Sequence, residues 1–210
     1  MARVSQRILD NLMEDCQNLP YEIVVSKWIV ESIPALFNGN KDEFLRIKEI
    51  ISKGLGVDMC SVVFVGSSST GFSLNPEKNF KVFDEESDID IAIISHYYFN
   101  EAWHWLRHID LAIASKSTIK AYNSHKSHYI FDGTIATEKI LAKLPFGEQW
   151  LRTLSSIKNE PVFGNKEIHF RLYQDHKSLI DYHVANVRDN LPKMLGVAPQ
   201  SQTLQNNSST

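Results

Sequence analysis

Two short β-branched segments, separated by a polar stretch, constrain the fold more than any other feature. The first is Ser61-Val-Val-Phe-Val65, which ends at Gly66, and the second is Ile89-Asp-Ile-Ala-Ile-Ile94. Short apolar runs bounded by turn residues predict buried strands. These two strands are the basis for predicting an α+β fold, in which helices flank a small mixed β-sheet.

The residues before the first strand have the periodicity of helices. Val25, Ile29 and Ile33 recur every four residues and form one apolar stripe. A further helix is predicted over 42–53, where glycines follow at the position of a helix C-cap. We therefore expect an N-terminal helical segment over residues 1–56.

The second half of the chain alternates between the two periodicities. Apolar spacing predicts a helix over 99–114 and another around 137–144, followed by a helix after the next turn. Glu167–Tyr173 alternates polar and apolar residues, as a half-buried strand does. Asp175 is placed to cap a last helix. A second domain is expected over 57–198.

Composition excludes several classes of protein. The chain has 210 residues, 22% of them charged, with a net charge of −3, so the broad basic surface of a duplex binder is not expected. Cys16 and Cys60 form no metal motif and predict a reducing, cytoplasmic setting. Apolar runs are too short to span a bilayer, so no membrane partner is expected. The polar tail 199–210 is expected to be disordered.

Asp88 and Asp90 are the strongest candidates for binding a metal ion. Side chains two apart on a strand point the same way, so both carboxylates should share one face, opposite Ile89 and Ile91. Neighbouring carboxylates repel one another, and a divalent cation relieves that repulsion. The segment from Glu77 to Asp90 contains six acidic residues and only two lysines. The sequence predicts a site for Mg²⁺ or Mn²⁺.

The turn after the first strand is a candidate phosphate site. Gly66 allows a ligand to approach the backbone closely, and the following serines, Ser67 and Ser68, offer hydroxyl and N–H donors. A metal site beside a phosphate cradle suits phosphoryl or nucleotidyl transfer.

Together these segments resemble the DNA polymerase β-like nucleotidyltransferase superfamily over roughly residues 60–95. The matching residues are Gly66-Ser67 at the end of one strand and Ser87-Asp88-Ile89-Asp90 at the start of the next. The resemblance implies that the Gly-Ser turn holds a nucleoside triphosphate and that the Asp pair binds magnesium. It also implies a third carboxylate on a later strand, which helps to activate the acceptor hydroxyl.

The later strand departs from this pattern because it has no central aspartate. The positions on the expected face are Glu167, His169 and Arg171. Glu167 is the candidate third catalytic carboxylate, while His169 is the alternative occupant of that place. Arg171 is a candidate for binding phosphate.

Two functions follow from the resemblance. The first is a metal-dependent nucleotidyltransferase that moves a nucleoside monophosphate onto an acceptor hydroxyl of an RNA end, a protein or a small molecule. The alternative is an inactive nucleotide sensor or partner subunit. A partner protein or a homo-oligomer is a further expectation, as is a role in a toxin or antiphage defence system.

Overall fold

All three predicted strands form, and a short additional strand extends the sheet. The structure, a computed structural model, describes residues 4–197. In the described part, the strands are β1 Val62–Val65, β2 Ile89–Ile94, β3 Thr134–Ile135 and β4 Ile168–Tyr173, in the spatial order β1-β2-β4-β3. β2 is antiparallel to β1 and parallel to β4, whereas β3 is antiparallel to β4. The predicted α+β fold with a mixed sheet is confirmed.

Eight α-helices lie within residues 4–197. They are α1 Gln6–Asn18, α2 Tyr21–Val25, α3 Lys41–Leu55, α4 Ser67–Thr70, α5 His96–Arg107, α6 Lys116–Ser124, α7 Gly147–Ile157 and α8 His176–Leu195. A π-helical turn continues α2 over Ser26–Val30, and another continues α6 over His125–Tyr129.

The ends of the predicted helices agree with their capping residues. α3 stops at Gly56, which has φ +70° and terminates the helix in the left-handed conformation. The side chain of Asp175 accepts a hydrogen bond from the Ser178 N–H at 2.7 Å, so α8 begins where the sequence predicts.

Two predicted helices differ from the structure. α5 ends at Arg107 rather than at 114, and Ile113, assigned to its apolar stripe, is 84% exposed. The segment 137–144 contains two 3-10 turns instead of an α-helix. The proline at 145 disfavours helical backbone in the residue before it, which accounts for this break. α7 then begins at Gly147, in line with the prediction.

One face of the sheet is closed by packing. Ile89, Ile91 and Ile93 of β2 are fully buried there, together with Phe170 and Leu172 of β4. Helices α3, α5 and α7 cover them with apolar side chains such as Ile47, Phe99 and Trp150. We call this the closed face.

The opposite face is covered along only part of its length. Ala92, Ile94 and Tyr173 are buried there beneath α2 and α8. Toward the beginnings of β2 and β4, the same face carries Asp88 and Asp90, both of them exposed. We call this the open face, and its uncovered end holds the candidate site.

The N-terminal helices belong to this packing. α3 packs on the closed face, while α1 and α2 contribute to the core under the open face. The boundary between 1–56 and 57–198 stays a prediction, and the expected disordered tail at 199–210 lies outside the described residues. Among those residues, no helix combines the length and apolarity needed to cross a membrane. The cytoplasmic location stays a prediction.

Candidate functional site

The end of β1 and the start of β2 meet at Gly66. Antiparallel pairing places Val65 opposite Asp90, so the residue after Val65 lies against that carboxylate. A Cβ atom on Gly66 would lie 3.1 Å from Asp90 Oδ2. Gly66 has φ +65° and ψ −153°, a backbone conformation that is essentially restricted to glycine. The sequence of this turn therefore permits the close approach.

The two serines that follow have different positions. Ser67 starts α4 and lines a cleft beside Asp90. Ser68 is fully buried, and its hydroxyl donates to the Val65 carbonyl at 2.9 Å. The second residue of this short helix turns toward the core, so the phosphate contact expected from the Ser68 hydroxyl is not available. Thr70 lines the cleft beside Ser67 instead.

Asp88, Glu167 and His169 form one cluster at the beginnings of β2 and β4. Each offers a ligand atom, and these atoms all lie within 4.8 Å of one another. Backbone pairing holds them together, because the Ile89 N–H donates to the Glu167 carbonyl at 2.8 Å. The structure thus brings both candidates for the third ligand, Glu167 and His169, to the same place.

Asp90 lies on the same face, two residues after Asp88 and opposite His169 in the β2–β4 ladder. Asp90 is exposed as a residue, but neighbouring atoms partly desolvate its carboxylate, and this desolvation raises its pKa. Electrostatic interactions with Arg171 and His169 oppose the shift, while those with Asp88 and Glu138 add to it. A bound cation would oppose the same shift by favouring the ionised carboxylate.

Arg171 lies near Asp90, as the alternation of β4 predicts. Its Nη1 donates to the Tyr182 hydroxyl at 2.7 Å, and its Nη2 lies 3.7 Å from Glu138 Oε1. The guanidinium also lies over the rings of Tyr129 and Tyr182, at 5.6 and 5.5 Å. These partners hold Arg171 in place, so it contributes positive charge to the site from a fixed position.

A cleft of about 430 Å³ runs from the Gly-Ser turn to α8. Gly66, Ser67 and Asp90 line it, together with Asn186 and Asn190 of α8. This volume lies within the range of ordinary small-molecule sites.

Lys78 lines the same cleft and is a residue that sequence reasoning did not select. It lies on the 3-10 turn Pro76–Lys78, in the polar stretch between β1 and β2. Among the residues that line the cleft, Lys78 is the one permanent cation, and it forms no ion pair with any described residue. Phe72 and Phe80 anchor this stretch in the core below the open face.

Two further residues near the site were also missed. Glu138 reaches Arg171 from the turn after β3, where the Thr137 hydroxyl donates to the Phe170 carbonyl. His183 of α8 lines the cleft, and its buried Nε2 has no hydrogen-bond partner. Burial, with a smaller effect of Arg171, lowers the pKa of His183 to about 4. No local sequence pattern marks either residue, since tertiary packing places both.

The chain matches no protein-family model, no curated protein and no solved structure. The interpretation of the site therefore depends on its own residues.

Proposed function

We propose that the chain is a metal-dependent nucleotidyltransferase that transfers a nucleoside monophosphate from a nucleoside triphosphate to an acceptor hydroxyl. One observation carries this proposal: the pairing of Val65 with Asp90 sets a glycine-serine turn directly against the Asp90 carboxylate, and the turn and this residue line the same ligand-sized cleft. Donors for phosphate and acceptors for a cation thus meet at one point.

Different residues of the cleft bind different parts of the donor nucleotide. The backbone of the Gly66 turn and the hydroxyl of Ser67 donate to phosphate oxygens. Lys78, which lines the same cleft, adds a positive charge. The sugar and base extend toward Asn186 and Asn190, whose side-chain amides offer both donors and acceptors.

The acids of the open face suit Mg²⁺ or Mn²⁺. Asp88, Asp90 and Glu167 provide carboxylate oxygens, the ligands that these ions favour. A divalent ion bound there supplies charge neutralisation for the in-line displacement at the α-phosphate, from which pyrophosphate leaves. Arg171, fixed by Tyr182 and Glu138, adds positive charge beside the carboxylate of Asp90.

Transfer of label from triphosphate tests the proposal. The protein is incubated with each labelled nucleoside triphosphate, Mg²⁺ or Mn²⁺, and in turn total RNA, protein extract or small hydroxyl compounds. We expect pyrophosphate release and labelled product with the wild type, and loss of both in Asp88→Asn and in Asp90→Asn. Asp10→Asn, an exposed acid on α1, is the matched control and should retain activity. Full activity in both site variants would refute the proposal.

The alternative function, a nucleotide sensor without turnover, is favoured by one feature. His169 occupies the β4 position paired with Asp90, where the resemblance implies a carboxylate. A sensor would bind triphosphate, with a thermal shift that Lys78→Met reduces, yet release no pyrophosphate with any acceptor. The acceptor, the nucleotide and a role in toxin or antiphage defence stay predictions.

A further inference from the structure

The cluster of Asp88, Glu167 and His169 differs from an all-oxygen magnesium site because it contains an imidazole. The ligand atoms of the three side chains lie within 4.8 Å of one another. His169 Nε2 is 3.6 Å from Glu167 Oε2, longer than a hydrogen bond. One cation placed among them could therefore contact all three.

Rigid backbone, and not a flexible loop, determines this arrangement. His169 pairs with Asp90 across the parallel ladder, and the Ile89 N–H binds the Glu167 carbonyl. Asp88 and Glu167 thus flank the same rung of the sheet. The imidazole comes to their side because residues two apart on a strand share a face.

The neighbouring lysines do not neutralise these acids. Lys81 pairs with Asp84 at 3.0 Å, and Lys166 pairs with Glu85 at 2.7 Å. Among residues 4–197, Asp88 forms no ion pair, so its charge has no protein partner.

We infer that Asp88, Glu167 and His169 bind a divalent transition-metal ion in preference to Mg²⁺. Mg²⁺ favours oxygen ligands and its own water shell, whereas an imidazole nitrogen favours first-row transition metals. For such a site, affinity should rise from Mn²⁺ to Co²⁺ to Ni²⁺. The inference deepens the proposed function, since it names the class of metal at the proposed catalytic site.

Metal titration without nucleotide tests this inference. Isothermal titration of the full chain with Mn²⁺, Co²⁺, Ni²⁺ and Mg²⁺ gives the affinity series directly. All proteins carry His104→Gln and His108→Gln, because those histidines stack one turn apart at the end of α5 and form a competing nitrogen pair. In this background, we expect Mn²⁺ to bind about tenfold more tightly than Mg²⁺, and Ni²⁺ more tightly still.

Exchange of the His169 imidazole for a carboxylate should remove the preference for transition-metal ions over Mg²⁺. His169→Asp makes the cluster all-oxygen, so the ratio of Mn²⁺ to Mg²⁺ affinity should fall toward one and the rise from Mn²⁺ to Ni²⁺ should flatten. The control is His128→Asp, at an exposed histidine remote from β4 in sequence. This variant should keep both the ratio of Mn²⁺ to Mg²⁺ affinity and the rise from Mn²⁺ to Ni²⁺. Thermal unfolding of each variant verifies folding.

Two results would overturn the inference: equal Mn²⁺ and Mg²⁺ affinities in the His169 protein, or an unchanged ratio in folded His169→Asp. Because the readout is binding, its failure is distinct from failure of the proposed function. The transition-metal preference without label transfer would refute the enzyme and support the metal site. Label transfer without the transition-metal preference would support the enzyme and refute the metal site.

Discussion

The two faces of the sheet carry different kinds of residues on the same strands. On β4, Phe170 is buried on the closed face, while its neighbours His169 and Arg171 lie on the open face. On β2, Ile89 and Ile91 are fully buried, whereas Asp90 between them is exposed. Stability is therefore concentrated on one side of each strand, and the candidate chemistry on the other.

This division lets the molecule keep charged groups close together. Two carboxylates side by side would cost stability if they were buried without a partner. The closed face, sealed by α3, α5 and α7, offsets that cost from the opposite side of the same strands. Substitutions on the two faces should therefore have separable effects.

The largest expected effect comes from opening the closed face. Phe170→Ala removes a ring that packs edge-on against Trp150 at 5.7 Å, and should lower the free energy of unfolding by about 3–5 kcal/mol. His169→Ala, one residue away on the open face, should change it by about 0.5 kcal/mol. Denaturant unfolding measures both. Similar losses in the two variants would contradict the separation of the faces.

A pH titration should sharpen the comparison, because the Nε2 atom of His183 is buried beside the open face without a hydrogen-bond partner. Its folded pKa of about 4 lies below the unfolded value of 6.5, so the unfolded state takes up a proton first as the pH falls. Stability from this group is complete above pH 6.5 and is lost progressively down to pH 4, by about 3 kcal/mol. His183→Phe should remove that part of the pH dependence. Parallel unfolding curves for wild type and variant across pH 4–7 would show that His183 is not responsible.

The Gly-Ser turn provides a smaller effect with a matched control. Gly66→Ala should cost about 1–3 kcal/mol through backbone strain and should displace the Asp90 carboxylate. Gly39→Ala imposes a similar positive φ, of 81°, but its Cβ meets no atom within 4 Å. We expect both variants to be destabilised in thermal unfolding, and Gly66→Ala alone to lose the thermal shift with triphosphate and Mn²⁺. An equal thermal shift with triphosphate and Mn²⁺ in both variants would show that the turn does not contribute to nucleotide binding.

The smallest expected effect is a gain in stability from Asp90→Asn. Desolvation raises the folded pKa of Asp90 above its unfolded value, so ionised Asp90 opposes folding at pH 7. Without metal, the Asn variant should melt slightly higher than wild type at pH 7, and this difference should vanish below pH 3.8. Excess Mn²⁺ should stabilise wild type by about 2.7 kcal/mol at one hundred times its dissociation constant, and should stabilise the Asn variant less. Thermal unfolding with and without Mn²⁺ measures both, and destabilisation of the metal-free variant would contradict the expectation.

The sequence was sufficient to predict three of the four strands in the described residues, and the faces of two of them. Burial acts with a period of two along β2, so the order Asp88-Ile89-Asp90 predicts which side chains share a side before any coordinate is known. The same alternation placed Glu167, His169 and Arg171 together on β4. These predictions succeeded because the strand geometry itself determines them.

Other parts of the site depend on packing between distant segments. The inward turn of Ser68 depends on the first turn of α4, and Glu138 is positioned by a hydrogen bond from its neighbour to β4. Lys78 and His183 reach the cleft only because the stretch after β1 and helix α8 pack on the same core. No periodicity in the chain marks such contacts, so sequence reasoning did not find them.

The ion pair between Lys166 and Glu85 has a consequence for how fast a cation can bind. Lys166 is 8% exposed and precedes β4, while Glu85 belongs to the segment that precedes β2, so their contact ties together the approaches to both strands. The pairing of β2 with β4 already holds Glu167 and Asp88 adjacent before any ion arrives, so little chain entropy remains to be lost on binding. Capture should therefore follow the rate at which the incoming ion sheds water, with no slow phase from loop closure.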